Sequence, residues 1–219
     1  SHKCIVLKEF AICSYLGLQH EEPITRWLEY AFARQVRSLE LNLEPCYDDP
    51  MYGLPRDLLV AEGSQFKSIE ALTFKDVSLS EKDIDFFLRN CPLLEELIVF
   101  NSPELSDLEV CGPSLALKHL EIYKCAYIPN NEVEEAIVSS PHHHLKVVKF
   151  SGGFGRTNYL RFVDYILENC LVLEKVIVDP CTGTLNLMLD STNFEENVRK
   201  KAKQHFEARV PQHIELVFL

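Results

Sequence analysis

Three adjacent histidines carry the residue type that most often binds a transition metal. His142, His143 and His144 follow Pro141 directly. Zinc sites usually draw their ligands from positions spaced over a turn or loop, and further groups orient those ligands. No fourth ligand can be assigned from this sequence. We therefore interpret the run as a polar loop that enters a strand at Leu145, and we predict no metal site.

A glycine-rich run, SGGFGRTN from Ser151 to Asn158, lies between a predicted strand and a predicted helix. Phosphate-binding loops occupy that setting. The run contains neither the G-x-x-x-x-G-K-[ST] spacing nor G-x-G-x-x-G. We interpret it as a flexible turn between strand and helix and predict no bound cofactor.

Two pairs of adjacent carboxylates, Glu95 with Glu96 and Glu134 with Glu135, raise the question of acid–base catalysis. Neighbouring side chains on a strand point to opposite faces, so Glu95 and Glu96 cannot act on one substrate together. No Ser/His/Asp or Cys/His set can be assembled from the spacing. The sequence therefore predicts no catalytic residue and a protein that is not an enzyme.

The eight cysteines are spread along the chain without any C-x-x-C pair. Such cysteines usually act as small buried hydrophobic residues in a reducing compartment. The N-terminus lacks the pattern of a cleavable signal, and no apolar run approaches the ~18 residues that span a bilayer. We therefore expect no membrane partner and a location in the cytoplasm and/or nucleus.

The charge balance argues against a nucleic-acid partner. The formal net charge is −11 and the isoelectric point is about 5.2. A phosphate backbone would be repelled, and no dense Lys/Arg stripe offsets the repulsion. The acidic excess either steers a basic partner to the surface or only keeps that surface well hydrated.

The organisation of the chain is a repeat. LRNCPLLEELIV, Leu88 to Val99, recurs as LENCLVLEKVIV, Leu167 to Val178, with seven of twelve positions identical. Each copy follows a segment in which apolar residues return at three- and four-residue steps, which predicts a helix. Ser80, with an acidic residue at Asp83, predicts the N-terminal cap of the first helix.

A second pattern covers the strand-like halves. LKHLEIYKC from Leu117 and LEKVIVDPC from Leu173 fit the template L-x-x-L-x-L-x-x-N/C at every fixed place. Looser copies begin at Val36, Ile69, Leu94, Leu105 and Leu145. Their central apolar residues are Leu39, Leu72, Leu97, Leu108, Leu120, Val148 and Val176. The steps around Leu108 are too short for a helical return, so we expect tight turns there.

Repeats of this kind stack because one strand-plus-return unit cannot bury its apolar edge alone. The fold class predicted is α/β: an irregular leucine-rich-repeat solenoid with a curved parallel sheet on its concave face and helices and turns on its convex face. We expect one domain over 1–219. Residues 1–35 would form an N-terminal strand and capping helix, 36–181 the repeats, and 182–219 a C-terminal capping helix and strand.

The phrase LRNCPLLEELIV resembles the repeat phrase of plant F-box proteins with leucine-rich repeats, including those that carry an FBD segment. GLPRDLLVAEGSQFKSIEALTFKDVSL and RKKAKQHFEARVPQHIELVFL are also similar to stretches of that family. The resemblance runs over about residues 24 to 219. It implies a substrate-binding horseshoe for a Skp–cullin–F-box ubiquitin ligase, with a protein substrate as partner.

The F-box itself is not recognised in this chain. GLPRDLLV is only superficially similar to its opening phrase and lies inside the repeat region. A Skp-type adaptor would therefore be reached only through an F-box absent from this chain. Two alternatives stay open: an F-box-less leucine-rich-repeat binding protein, and a receptor for a small ligand or hormone.

The concave face is the predicted binding surface, because the residues beside the two central apolar positions of each copy point away from the core. Several of them are apolar where solvent would otherwise lie, which is typical of a protein contact, although a loop or neighbouring domain could equally cover them. A register slip of one residue would exchange the two faces. The predicted partner-binding residues are Glu40, Thr73, Lys75, Ile98, Phe100, Glu109, Glu121, Tyr123, Lys149 and Ile177, together with Asn42.

Overall fold

A computed structural model of the chain describes residues 7–15, 21–45, 50–60, 66–105, 116–123, 141–151, 157–180 and 191–219. The strands in this part of the chain are β1 Glu9–Tyr15, β2 Ser38–Glu44, β3 Tyr52–Gly53, β4 Ala71–Lys75, β5 Val77–Ser78, β6 Glu96–Phe100, β7 His119–Tyr123, β8 Val147–Ser151, β9 Lys175–Asp179 and β10 Glu215–Phe218. The helices are α1 Glu21–Ala33, α2 Arg56–Val60, α3 Glu81–Asn90, α4 Thr157–Asn169 and α5 Ser191–Arg209.

Eight of these strands form one sheet in the order β1-β2-β4-β6-β7-β8-β9-β10. Every neighbouring pair is parallel, and strands that are neighbours in the sheet follow one another along the chain. Parallel strands need a return connection across the sheet, and helices supply several of these returns. The predicted α/β class with a large parallel sheet is confirmed, and the topology is compatible with a leucine-rich-repeat fold.

The register of the sheet aligns the central residues of the repeat copies. Leu39 pairs with Leu72, Leu72 with Leu97, Leu97 with Leu120, Leu120 with Val148, and Val148 with Val176. All six side chains are buried. The sequence pattern therefore predicted both the strand positions and the face that each copy turns to the core.

One predicted strand is not part of the described sheet. The copy that starts at Leu105 puts its centre at Leu108, between those of Leu97 and Leu120. β6 instead pairs directly with β7, and corresponding residues of these strands are 23 positions apart. No strand lies between β6 and β7 in the described sheet, and the predicted centre at Leu108 lies outside the described residues. Residues 106–115 lie outside the described part of the chain.

One hydrophobic core runs along the sheet between its inner face and the helices. Phe66 is fully buried and joins two helices, with its ring 4.7 Å from that of Phe32 in α1 and 5.1 Å from that of Phe86 in α3. Phe206 of α5 lies 5.8 Å from Phe150 of β8. The contacts of Phe66 are edge-to-face, and aromatic contacts of this kind fix helix position as well as burying area.

The two copies of the twelve-residue phrase fold alike. The side-chain amides of Asn90 and Asn169 donate to carbonyls one helical turn earlier, at 2.8 Å and 2.9 Å. Cys91 and Cys170 follow directly, and their backbone amides close the last turns of α3 and α4 at 2.9 Å and 3.0 Å. Burial raises the pKa of both thiols to about 12. Both are free and buried as expected, whereas Cys13 is exposed on the edge strand β1, so the expectation is wrong there.

The predicted cap at Ser80 is confirmed. The Asp83 carboxylate accepts hydrogen bonds from the Ser80 backbone amide and hydroxyl, each at 2.7 Å. The Asp83 carboxylate thereby satisfies the backbone amide of the cap residue, as the acidic third residue of a capping box does. Helix α1 begins at Glu21 and contains Pro23, which is tolerated in the first turn of a helix because its missing amide would have no partner there.

Ser102 is the fully buried polar side chain that ties two repeats together. Its hydroxyl accepts a hydrogen bond from the Leu79 amide at 2.8 Å and donates one to the Leu79 carbonyl at 3.2 Å. Leu79 lies just before α3, and Ser102 follows β6. One hydroxyl therefore satisfies both backbone groups of a buried residue in a preceding segment.

We predict that Ser102→Ala lowers the free energy of unfolding by about 1–3 kcal/mol, because it leaves the buried amide and carbonyl of Leu79 without a partner. Denaturant unfolding followed by circular dichroism measures the change. Ser38→Ala, at a partly exposed strand position, is the control and should change stability by less than about 0.5 kcal/mol. Equal effects of the two substitutions would contradict the role assigned to Ser102.

Candidate interaction surface

The sheet has a second face, turned away from the core and the helices, which we call the open face. Its residues alternate with the buried ones along each strand. Strand pairing arranges them in rows that cross the sheet. The middle row is Glu40, Thr73, Ile98, Glu121, Lys149 and Ile177, and the next row is Asn42, Lys75, Phe100, Tyr123, Ser151 and Asp179.

These rows contain every predicted partner-binding residue that the structure describes. Glu109 lies outside the described residues. Nine of the remaining ten, Asn42 among them, are partly exposed, whereas Tyr123 is only 2% exposed. The sequence register therefore predicted which side chains share a face. Whether that face binds a partner stays a prediction.

Charges on the open face are paired across strands. Lys75 donates to Glu40 at 2.8 Å, and both side chains are 36% exposed. Lys149 lies 2.6 Å from Glu121, with exposures of 25% and 19%. The second pair is the more desolvated, so removing one partner leaves a charge that water hydrates poorly. Lysine and carboxylate thus neutralise each other at the centre of the face.

An aromatic pair occupies the row at the carboxyl ends of the strands. The rings of Phe100 and Tyr123 stack with centroids 4.0 Å apart and planes 18° apart. Tyr123 is buried although it lies on the open face, so it contributes to the support of Phe100 more than to an exposed surface. Phe100, which is partly exposed, is the member that a partner can contact.

Sequence reasoning missed two side chains on this face. His119 lies two residues before Glu121 and places its Nδ1 atom 3.1 Å from the carboxylate of Glu96. Ser151 is 3% exposed, and its hydroxyl has no hydrogen-bond partner among the residues that the structure describes. Ser151 pairs with Tyr123 and occupies the same position of the template, so the pattern already contained it. Extending the period of two by one step toward the start of the strand would have found His119.

A further row of charged side chains lies just before the strands begin. Arg37 pairs with Glu70 at 3.2 Å, Lys118 with Glu95 at 2.6 Å, and Lys146 with Glu174 at 2.5 Å. All six side chains are about half exposed, so each pair contributes little to stability. Glu95 bonds Lys118 while Glu96 bonds His119, so the two adjacent carboxylates have separate partners.

The other chemical candidates do not gather into a site within the described residues. His142 is 5% exposed and places its Nε2 atom 3.1 Å from the Tyr165 hydroxyl, whereas His143 and His144 are exposed. No group of three or more His, Cys, Asp or Glu side chains is arranged to hold a metal ion in that part of the chain.

Residues 152–156 of the glycine-rich run, and Glu134 with Glu135, lie outside the described part of the chain. None of the helices described there is both long and apolar enough to cross a bilayer.

Two family models match the middle of the chain, from α2 to β9, whereas β1, β2 and β10 lie outside both matches. Residues 53–142 match the model described as "FBD-associated F-box protein At5g56370, LRR repeats", and residues 137–178 match the model described as "FBD". The two matches meet and together cover 53–178. Over this span the chain belongs to the leucine-rich-repeat and FBD family of F-box-associated proteins. No curated protein and no solved structure matches the chain.

The FBD match is structurally a continuation of the leucine-rich repeats. It contains β8, α4 and nearly all of β9. β8 pairs in register with β7, which lies in the leucine-rich-repeat match, and β9 pairs with β8. The open face therefore crosses from one matched part to the other without a break, and a partner bound at its centre would touch both.

We predict that His142 makes the protein less stable in mild acid. Burial lowers the pKa of His142 below its usual 6.5, and the charge of His143 lowers it further. The unfolded chain therefore binds a proton that the folded chain resists, so stability is full above about pH 6.5 and falls as the pH drops below it. His142→Gln should reduce the loss of unfolding free energy between about pH 7.5 and pH 5.5.

Urea unfolding at several pH values measures this slope. His144→Gln, at an exposed position of the same loop, is the matched control and should leave the slope as it is in the unaltered protein. A slope that is the same in both variants would contradict a buried, neutral His142.

Proposed function

We propose that the chain is the substrate-recognition part of an F-box subunit of a Skp–cullin–F-box ubiquitin ligase, and that the open face binds the protein substrate. The proposal includes a curved solenoid in which the open face is concave. It also includes recognition without catalysis and action in the cytoplasm and/or nucleus of a plant cell. The observation that carries it is the continuous open face, shared by leucine-rich repeats and FBD.

Physical reasons support this face over the others. The opposite face of the sheet is occupied by the core and the helices, so it has no surface to offer. The open face presents side chains from successive parallel strands at about 4.8 Å intervals, which gives a rigid array. Partly exposed apolar groups at Ile98, Phe100 and Ile177 are interspersed with ion pairs, and such a mixture suits a protein contact.

A second apolar surface lies at the turns before β6 and β9, where Leu93 is 50% exposed and Leu171 is 62% exposed. Exposure alone does not make these leucines a contact, since isolated apolar side chains are common on surfaces. They do provide a matched comparison for any test of the open face, because both are apolar, exposed and distant from it along the strands.

We predict that Ile98→Asp with Ile177→Asp abolishes capture of the substrate, because two carboxylates would be desolvated against apolar groups of the partner. The measurement is affinity capture from plant extract under proteasome inhibition, quantified by mass spectrometry. The amount of captured substrate should fall at least tenfold, which corresponds to a loss of about 1.4 kcal/mol of binding free energy.

The control is Leu93→Asp with Leu171→Asp, which adds the same charge at the turns and should retain the partner. Circular dichroism and thermal unfolding establish that both double variants are folded. Loss of the partner in the turn variant and its retention in the face variant would contradict the proposal and move recognition to the turns. A captured substrate should also gain ubiquitin when the F-box subunit is expressed, and a substrate unaffected by that expression would contradict the ligase role.

A further inference from the structure

The lysines of the open face are all paired with carboxylates of the same face in the described strands. Lys75 pairs with Glu40, Lys149 with Glu121, and Lys175 with Glu215 at 3.1 Å. The face nevertheless carries more acids than lysines. Its remaining carboxylates include Glu9 and Glu44. The face as a whole is therefore acidic, and its described cations are already neutralised.

Part of the excess acid lies at one end of the sheet, on β1 and β2, and the rest includes Glu96 on β6 and Asp179 on β9. Glu9 of β1 pairs in register with Ser38 of β2, and Tyr15 pairs with Glu44. Glu9 and Glu44 are exposed, and Glu40 lies between them on β2. The hydrogen bond and negative charge of Glu44 raise the pKa of the exposed Tyr15 hydroxyl, in agreement with a carboxylate on the surface beside it. We call Glu9, Glu40 and Glu44 the acidic end.

The apolar contacts lie further along the same row. Ile98 on β6 and Ile177 on β9 flank the ion pair of Glu121 with Lys149. Three strand spacings separate the two isoleucines, which is about 14 Å. Glu40 lies two strand spacings, about 10 Å, on the other side of Ile98. Along the row, an acidic side chain is therefore followed by an apolar one, then by a neutral ion pair, and then by a second apolar side chain.

These distances match an extended peptide that crosses the strands. With a rise of about 3.3 Å per residue, side chains four positions apart point to the same side of an extended peptide and are about 13 Å apart, close to the spacing of the two isoleucines. A Lys or Arg two positions further along points to that side from about 7 Å away, and its long side chain spans the remaining distance to Glu40. A helix offers about 10.5 Å at two turns or about 16 Å at three, and fits the isoleucine spacing less well. An extended segment also leaves its backbone free to bond water or nearby polar side chains.

We propose that the open face takes an extended, basic segment of a protein, with Lys or Arg over the acidic end and two apolar side chains, four residues apart, against Ile98 and Ile177. This deepens the proposed function and rests on it. Charge complementarity assigns the occupant: a cation over Glu9, Glu40 and Glu44 meets carboxylates that lysines neutralise only in part, whereas an acidic segment would meet repulsion there.

Peptide display tests the class of ligand. The probe is a phage library of random peptides of about twelve residues, selected on the complete chain, and the enriched peptides are synthesised and measured by fluorescence polarisation. The expected peptides carry net positive charge and bind more weakly as salt rises from about 50 to 500 mM, because exposed charges are screened. Enrichment of neutral or acidic peptides, or no enrichment, would overturn the proposal.

Variants separate this inference from the function on which it rests. Glu9→Gln, Glu40→Gln and Glu44→Gln combined should raise the Kd of the enriched peptides at least tenfold at low salt. Glu29→Gln, Glu104→Gln and Glu168→Gln combined remove the same charge from exposed sites off the face and should change the Kd less than twofold. Equal effects of the two triple variants would show that net charge alone attracts the peptides, and would contradict the assigned site.

The isoleucines discriminate further. If enriched peptides carry no basic residues and still fail to bind the Ile98→Asp variant, that result would contradict the proposed basic ligand, although the open face would remain the binding surface. Peptides that bind equally well to Ile98→Asp and Ile177→Asp would contradict the open face itself, and with it the proposed function.

Discussion

In-register parallel pairing is the constraint on which the rest of the molecule depends. Because Leu39, Leu72, Leu97, Leu120, Val148 and Val176 stand opposite one another, the central apolar positions of the repeats fall on one face of the sheet. A slip of one residue in any strand would bury charged side chains and expose leucines, so the core holds the register. The open face is a consequence of the same alternation.

The joint between the leucine-rich repeats and FBD shows how far this constraint extends. The phrase LRNCPLLEELIV falls in the first match and its relative LENCLVLEKVIV in the second, yet both form a helix end, a buried cysteine and a strand of one sheet. The side chains of Asn90 and Asn169 end the two helices with the same bond to a carbonyl. Two family descriptions therefore correspond to one continuous structural repeat.

The sequence was sufficient for features with a local period and insufficient for those set by tertiary contacts. Leucines at fixed spacing predicted the strand centres, and Ser80 with Asp83 predicted a helix start, because both depend on neighbours within a few residues. The same spacing could not show that β6 and β7 are direct neighbours, since an apolar pattern does not reveal which strands pair in the sheet. The burial of Tyr123 and the unpaired hydroxyl of Ser151 arise from packing between strands, which a template of alternating positions does not contain.

The most direct test of this account is the rate of maleimide labelling at adjacent positions of β6 and β9, read by peptide mass spectrometry in a Cys13→Ser background. Ile98→Cys and Ile177→Cys are on the open face, and Val99→Cys and Val176→Cys are in the core. The account predicts labelling at 98 and 177 at least tenfold faster than at 99 and 176. Equal rates, or faster labelling at the valine positions, would contradict the register and the open face together.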